Sequence, residues 1–335
     1  MRIAQIAPPY YPLPPSNVGG IERMVYALTE ELVAEGHEVT LFASGYSISS
    51  AILIPTCSRS CATADARLSL PFYCLAVEEA YRRANDFDII HNHIEYLWLP
   101  YSTRIDVKSL STYHNVLPHE WRQFITKFPL HPSVSISHWQ RSQFPRLNWS
   151  GTIHDGISLS TYTFIPQSKS YLAFVGRIEP SKGVEEAVQL AFLLGMPLKI
   201  AGNITNPTYF QQVQQLIGNS SLIEYCGILS ECEKNEFLGN AEWLVYTSGQ
   251  QDPFAMVLIE ALACGTPIIS LKGNCSEEFI RNGVTGIILN SISDSLNVDR
   301  GKAEMMRESC RQDFEQRFTS NVMASRYLQL YEALL

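Results

Sequence analysis

MRIAQIAPPYYPLPPSNVGGIERMVYALTEELVAEGHEVTLFA, residues 1–43, is the stretch whose order decides the fold class. Arg2–Ala7 is a short apolar run of the kind that forms a buried strand. The segment PPYYPLPPSNVGG that follows is punctuated by proline and glycine and can continue neither a strand nor a helix. Ile21, Met24, Val25, Leu28 and Leu32 then recur at helical spacing, Gly36 stops the helix, and Val39–Ala43 is apolar again. Strand, loop, helix and strand make a βαβ unit, which joins neighbours in a parallel sheet.

The same alternation runs outward along the chain. Strands are expected at Phe87–His91, Ser109–Tyr113 and Val134–Ile136, and then at Leu172–Val175, Leu198–Ala201, Ile223–Tyr225, Trp243–Tyr246 and Ile268–Leu271. Helices are expected at Val184–Leu194, Tyr209–Ile217 and Cys232–Leu238, with one more ending near Cys264. No hairpin signal interrupts the series, so both halves predict doubly wound parallel sheets. The length, 335 residues at roughly 150 per domain, suits two domains. Ser158–Ser170 is the best linker. The expected architecture is α/β: two Rossmann-like domains, residues 1–160 and 170–315, facing across a cleft, with a closing helix at 318–335. Ligands of such sheets bind at the carboxyl ends of the strands.

Composition narrows the function. The chain is 46% hydrophobic and 17% charged, so it can bury two cores and is not a disordered or histone-like protein. Lys+Arg 25 against Asp+Glu 33 gives a net charge of −8, and no basic cluster overrides that balance, which argues against a nucleic-acid partner. The eight cysteines match no zinc pattern, Cys57 and Cys61 making at most half a site, and are expected to be reduced structural thiols. No signal peptide and no apolar run of membrane-spanning length is seen, so the expected location is the cytoplasm; membrane contact is not indicated.

Three short motifs carry chemistry. Ser16–Gly20 ends where a helix begins, which places glycine backbone N–H groups and a helix N-terminus where an anion is favoured; an empty turn has the same composition. Arg177 and Lys182, on the loop after Leu172–Val175, are spaced to reach one diphosphate, or to stand in solvent as two surface cations. Asp252 and Glu260 bracket a helix start. Glu260, in an otherwise apolar run, is costly to bury alone; ribose hydroxyls or a backbone capping role would each satisfy it. Neither a G-x-G-x-x-G after a strand nor a Walker A run is present, which weakens a dinucleotide enzyme and a kinase together.

Taken in order, the GG-I-E-R loop, G-R-x₄-K-G, D-P-F-A-x₄-E-A-L-A-C-G-T-P and the closing segment Phe318–Leu335 resemble the retaining glycosyltransferases of family 4, with the GT-B fold. The resemblance covers nearly the whole chain. It implies that Gly19 and Gly20 lie near the donor's phosphates, that Arg177 and Lys182 clamp the diphosphate, and that Glu260 holds the ribose. Asp252 stands where the family has the first Glu of an E-x₇-E pair, which contacts the donor sugar. Phe254, Ala255, Met256 and Val257 would lend backbone N–H groups to sugar and phosphate, and Gly227, Ile228 and Leu229 would lie near the base. His114 resembles a loop histidine beside the reacting sugar, or is a packed neighbour of that site. Asp252 for Glu and Ala255 for Gly depart from the family pattern, and both touch the sugar pocket.

No metal is expected. His91 and His93, two apart at a strand end, are expected on opposite faces and so not to share an ion. Asp86 and Asp88 form a D-x-D that is taken as a strand cap. The aromatic residues between His119 and Trp149 are a core or an acceptor-binding wall. The expected activity is metal-independent, retaining transfer of a hexose from a nucleoside-diphosphate sugar, UDP before GDP, to an acceptor hydroxyl, with no cofactor. Saccharide, lipid-linked and natural-product acceptors all fit. A non-catalytic sugar-nucleotide-binding subunit, and an enzyme hydrolysing or epimerising the same donor, are the alternatives.

Overall fold

The computed structural model describes residues 1–16, 19–58, 61, 66–249, 252–299 and 301–335. The chain divides into two compact units, Met1–Ser158 with Thr319–Leu335, and Leu159–Phe318.

The first unit is built on seven strands: β1 (Arg2–Ile6), β2 (Glu38–Ser44), β3 (Ile52–Cys57), β4 (Ile89–Asn92), β5 (Lys108–Tyr113), β6 (Ser133–Ser135) and β7 (Trp149–Thr152). All pair in parallel, in the order β3-β2-β1-β4-β5-β6-β7. Alternate residues of a strand face opposite sides, and both sides are covered. On one, Ile3, Leu41, Ile89 and Leu110 pack against Met24, Val25, Leu28 and Leu32 of helix Gly20–Ala34 and against Met323, Tyr327 and Tyr331 of helix Ser320–Leu334. On the other, Ala4, Ile6, Phe42 and Ile90 pack against Ala76, Val77, Ala80 and Tyr81 of helix Ala66–Arg82. Each fully buried side chain of this size contributes roughly 1.5–3 kcal/mol relative to exposure. The closing helix belongs to this core, held also by Ser320 Oγ donating to Glu31 Oε1 at 2.6 Å.

The second unit repeats the scheme with β8 (Leu172–Val175), β9 (Leu198–Ala201), β10 (Ile223–Gly227), β11 (Trp243–Tyr246), β12 (Ile268–Leu271) and β13 (Gly286–Leu289). These too are all parallel, in the order β10-β9-β8-β11-β12-β13. Helix starts are specified locally: Asn206 accepts from the Tyr209 N–H, and Ser230 with Glu233 forms a capping box. Buried Arg307 donates to the carbonyls of Ile165, Ala241 and Gly239, tying the start of the unit to its sheet.

Three strands were not expected: β3, β7 and β13. Of the D-x-D, Asp86 lies in a short 3₁₀ turn, Ala84–Asp86. Asp88 stands directly before β4, at a strand start as expected, and its N–H donates to Arg2 O at 2.9 Å. It accepts from the Arg2 backbone N–H at 2.8 Å and from the Arg2 guanidinium at 2.7 Å, so it anchors the head of β1.

Candidate active site

In both sheets the strand order reverses beside the first strand, between β1 and β4 and between β8 and β11. Ligands are favoured at the carboxyl ends of strands at such a switch point, because the connections there leave in opposite directions and open a crevice. In the second unit a pocket of about 150 Å³ lies there, lined by Val175 and Gly176 after β8, Tyr246 and Ser248 after β11, and Lys182, Asp252 and Phe254–Val257.

Two loops build it. Thr247 Oγ1 donates to Gly183 O at 2.6 Å and the Gly249 N–H donates to Ser181 O at 2.9 Å, with Ser248 Oγ 3.3 Å from the same carbonyl. Gly183 has φ +70°, and a Cβ there would stand 2.1 Å from Thr247 O, so only glycine lets the loops approach. The lacing sets Lys182 beside Asp252. Lys182 Nζ donates to Asp252 Oδ2 at 2.5 Å, and the hydroxyls of Tyr246 and Ser248 donate to the same oxygen at 3.1 Å each. The pair is mostly shielded, 18% and 17% exposed. Burial, and after it the charges of Cys275 and Asp252, push the Tyr246 phenol far above its usual range, so it stays a donor.

Opposite stands the start of helix Met256–Cys264, whose N-cap is Ala255, with no side-chain cap and no acidic residue in its first turn. An N-terminus leaves backbone N–H groups without helical partners, and Ser, Thr, Asp or Asn usually answers them. Here no side chain among the described residues does. The ammonium of Lys182, held by the Asp252 carboxylate, and this uncapped helix start line the same pocket.

Of the residues named from the sequence, the pocket brings together Lys182, Asp252, Phe254, Ala255, Met256 and Val257. Arg177 is not among its walls; its side chain is 60% exposed and pairs with Glu179 at 3.0 Å. Burial opposes ionisation of Glu179, but the hydroxyls of Ser181 and Thr205 and the two cations outweigh it and hold the carboxyl below its usual range. Gly227, Ile228 and Leu229 lie at and beyond the end of β10, outside the pocket walls, with Ile228 exposed. Glu260 is buried one turn into the helix and accepts from Lys234 Nζ at 2.5 Å. Lys234, on helix Glu231–Gly239, is the partner that sequence reading missed; its one signal was that buried Glu260 required a satisfied neighbour.

The first unit holds the rest. Asn17 and Val18 of the glycine loop lie outside the described residues. Gly19 has φ +130°, and a Cβ there would meet the Glu22 carboxylate at 3.0 Å, whereas the space beside Gly20 is open. Burial raises the Glu22 carboxyl to about 7, so the loop expected to meet phosphate carries an acidic neighbour that is readily protonated. At the end of β4, Glu95 has a left-handed backbone (φ 60°), accepts from Asn115 Nδ2 at 2.7 Å, and is raised by burial to about 7. His114 is buried, and burial lowers it to about 3, so it is neutral. His91 and His93 do not point apart: their ring centroids are 3.9 Å from each other, since alternate strand residues share a face. Each is bonded to protein groups, and among the described residues no cluster of three or more His, Cys, Asp or Glu is placed to hold a metal ion. Phe144 is buried, and Trp121, Phe128 and Trp149 pack partly buried against the core, while Phe124 is 38% exposed. No helix among the described residues is long and apolar enough to cross a membrane.

Residues 18–153 match the family model described as Glycosyltransferase Family 4, and residues 161–312 match that described as Glycosyl transferases group 1. The chain is 21% identical to the O-antigen chain mannosyltransferase C of Escherichia coli, covering 100% of this chain and 99% of that one. A sucrose-phosphate synthase from Thermosynechococcus elongatus superposes with a TM-score of 0.80 at 18% identity, covering 100% and 99% of the two chains. The Anabaena protein HepE, solved in complex with UDP-glucose, superposes at 0.72 with 15% identity, covering 99% and 100%. At these identities the structural likeness is one of fold.

Proposed function

The chain belongs to the GT-B glycosyltransferases of group 1 and family 4, and from that premise we propose that it moves a hexose from a nucleoside-diphosphate sugar to an acceptor hydroxyl with retention of configuration and without a metal ion. The observation that carries this is the pocket at the β8–β11 switch point, where Lys182 and the uncapped start of helix Met256–Cys264 converge. As the glycosidic bond breaks, charge grows on the leaving diphosphate, and preorganised donors aimed at that charge lower the barrier most. Lys182 and the N–H groups of Met256 and Val257 are those donors; Arg177 joins them by leaving Glu179. Asp252 takes sugar hydroxyls, Glu260 lies under the ribose with Lys234, and Gly227–Leu229 border the base. In the first unit His114 stands beside the reacting sugar, the role the family resemblance assigns it. Attack comes from the face that the diphosphate leaves, and the leaving phosphate accepts the acceptor's proton.

UDP is the first base and GDP the second. HepE, one of the proteins this chain resembles, was solved with UDP-glucose, while the mannosyltransferase relative leaves the sugar open. Protein incubated with sugar nucleotides of either base should gain stability with its true donor alone, about 2.7 kcal/mol at a hundredfold excess over Kd. The product formed with that donor should keep the donor's anomeric configuration by NMR coupling constant, and turnover should survive a chelator. Inversion, or loss of activity that Mn²⁺ restores, would overturn the mechanism.

A further inference from the structure

On the face of the first sheet that carries helix Ser320–Leu334, polar side chains form one unbroken line of hydrogen bonds. His114 Nε2 lies 3.0 Å from His93 Nδ1, and His93 Nε2 lies 2.7 Å from Gln5 Oε1. Gln5 Nε2 donates to Tyr331 Oη at 3.1 Å, and Tyr331 Oη lies 2.6 Å from His91 Nδ1. His91 Nε2 is 2.8 Å from Thr112 Oγ1, which is 2.8 Å from Tyr327 Oη. Every member is buried. The line runs from the carboxyl end of β5, through β1 and β4, to the closing helix and back to β5.

Such a line has only two states. A neutral imidazole carries one N–H and one lone pair, and burial holds all three rings neutral. One proton sits in each bond, so the direction of any bond fixes the direction of all. With the Gln5 carbonyl accepting from His93, the proton of His93 is on Nε2, its bare Nδ1 accepts from His114 Nε2–H, and His114 Nδ1 is a lone pair. With the amide reversed, His114 Nδ1 would carry the proton. That nitrogen is buried and has no hydrogen-bond partner. An orphaned buried N–H is the rarer and costlier outcome, so the first direction wins. At the other end it leaves the Tyr327 phenol free to turn its own proton toward the field of Asp155.

We propose that Tyr331 and Gln5 are positioning residues: Tyr331 of the closing helix fixes the Gln5 amide, which fixes His93, which holds His114 in one ring orientation with its proton on Nε2. The functional part rests on the proposed place of His114 beside the sugar. It also assigns His114 a limit. With Nε2–H engaged by His93 and Nδ1 enclosed, the ring orders the site without exchanging a proton, so the acceptor's proton must go to another group.

The test is ¹⁵N NMR of histidine-labelled full-length protein, reading the ring nitrogens of His114 and His93. Wild type should show both as single Nε2–H tautomers across neutral pH. Tyr331→Phe keeps the packed ring but takes the acceptor from the Gln5 N–H, so each direction then leaves a buried N–H orphaned, and His114 should become a mixture of tautomers. Gln5→Glu should leave His114 unchanged but move the His91 proton to Nδ1, because a carboxylate accepts from both neighbours and turns the Tyr331 hydroxyl around. A protonated His114 Nδ1 in wild type, or a His114 signal in folded Tyr331→Phe identical to wild type, would overturn the relay. In Tyr331→Phe, kcat should fall about tenfold with donor KM nearly constant, a modest part of what misplaced reacting groups cost. Altered tautomers with unaltered kcat would leave the relay standing and overturn the place of His114 in the reaction.

Discussion

Asp252 and Lys182 hold one another before any donor arrives, and this reverses the sign of one mutational effect. Removing Asp252 ordinarily reads as removing a ligand contact. Here its Oδ2 already accepts from Lys182 Nζ at 2.5 Å and from Tyr246 and Ser248 at 3.1 Å each. An incoming diphosphate therefore competes with Asp252 for the lysine. The gross attraction of unit charges 2.5 Å apart is large, roughly 6–7 kcal/mol at an effective dielectric constant of about 20. Desolvation and side-chain entropy cancel most of that, and a charge-assisted hydrogen bond nets about 1.5–3 kcal/mol. Because both side chains keep nearly a fifth of their surface, the lower end applies, and 1.4 kcal/mol is about a factor of ten in affinity. Asp252→Ala should thus bind free UDP or GDP about tenfold more tightly by calorimetry, while kcat/KM for the sugar donor falls at least tenfold, since the sugar hydroxyls lose a charged acceptor. Weaker binding of free nucleotide would show that Asp252 does not compete for Lys182, and equal losses for nucleotide and sugar donor would show that it does not address the sugar.

Lys182→Ala and, separately, Arg177→Ala should each lower kcat by about 100-fold or more, as loss of a charged transition-state donor does; near-normal steady-state rates in both would remove the diphosphate clamp. Glu260→Ala strands Lys234, 17% exposed, without its carboxylate; unfolding by urea should show a loss of about 3 kcal/mol, largely recovered in Glu260→Ala with Lys234→Met, since a broken buried pair costs more than an absent one. Glu95 links stability to pH: its carboxyl is raised to about 7, whereas in the unfolded chain it ionises near ~4.3. The native state therefore binds the extra proton between those values, and stability falls as pH rises through that window. Glu95→Gln should be the more stable protein at pH 8 and its equal at pH 4; melting curves that stay parallel across the range would contradict this.

Central strands with both faces buried were legible where, as in β1, β8, β11 and β12, they read as short apolar runs. The three strands that escaped, β3, β7 and β13, are sheet edges. An edge strand is paired along one side only and half in water, so Ile52–Cys57 carries a proline and Trp149–Thr152 is mostly polar. At the site, the glycine and lysine spacing of residues 176–183 pointed to the pocket because loop chemistry is local. What stayed hidden was pairwise and distant: Lys234 with Glu260, and Gln5 with Tyr331. Nothing in EKNEF marks its lysine as half of a buried pair, and Gln5 sits in an apolar run where its amide looks like an exception. The tyrosines at 327 and 331, one helical turn apart, were the visible half of the relay.

The first unit is written in two pieces of sequence, and this fixes an order of assembly. Its core needs Met323, Tyr327 and Tyr331, yet the whole of Leu159–Phe318 is made before them. During synthesis the first sheet must wait, with the side that later takes the closing helix uncovered, while its neighbour folds. A flexible insertion of that length would oppose closure by roughly 4–5 kcal/mol. The bridge between Ile157 and Thr319 shows how the cost is reduced: the chain leaves the first unit and re-enters it at adjacent points, so a folded insertion delivers the final helix to its berth. Ribosomes stalled before residue 319 should expose an incomplete first unit to proteases, beside a second unit that already resists them.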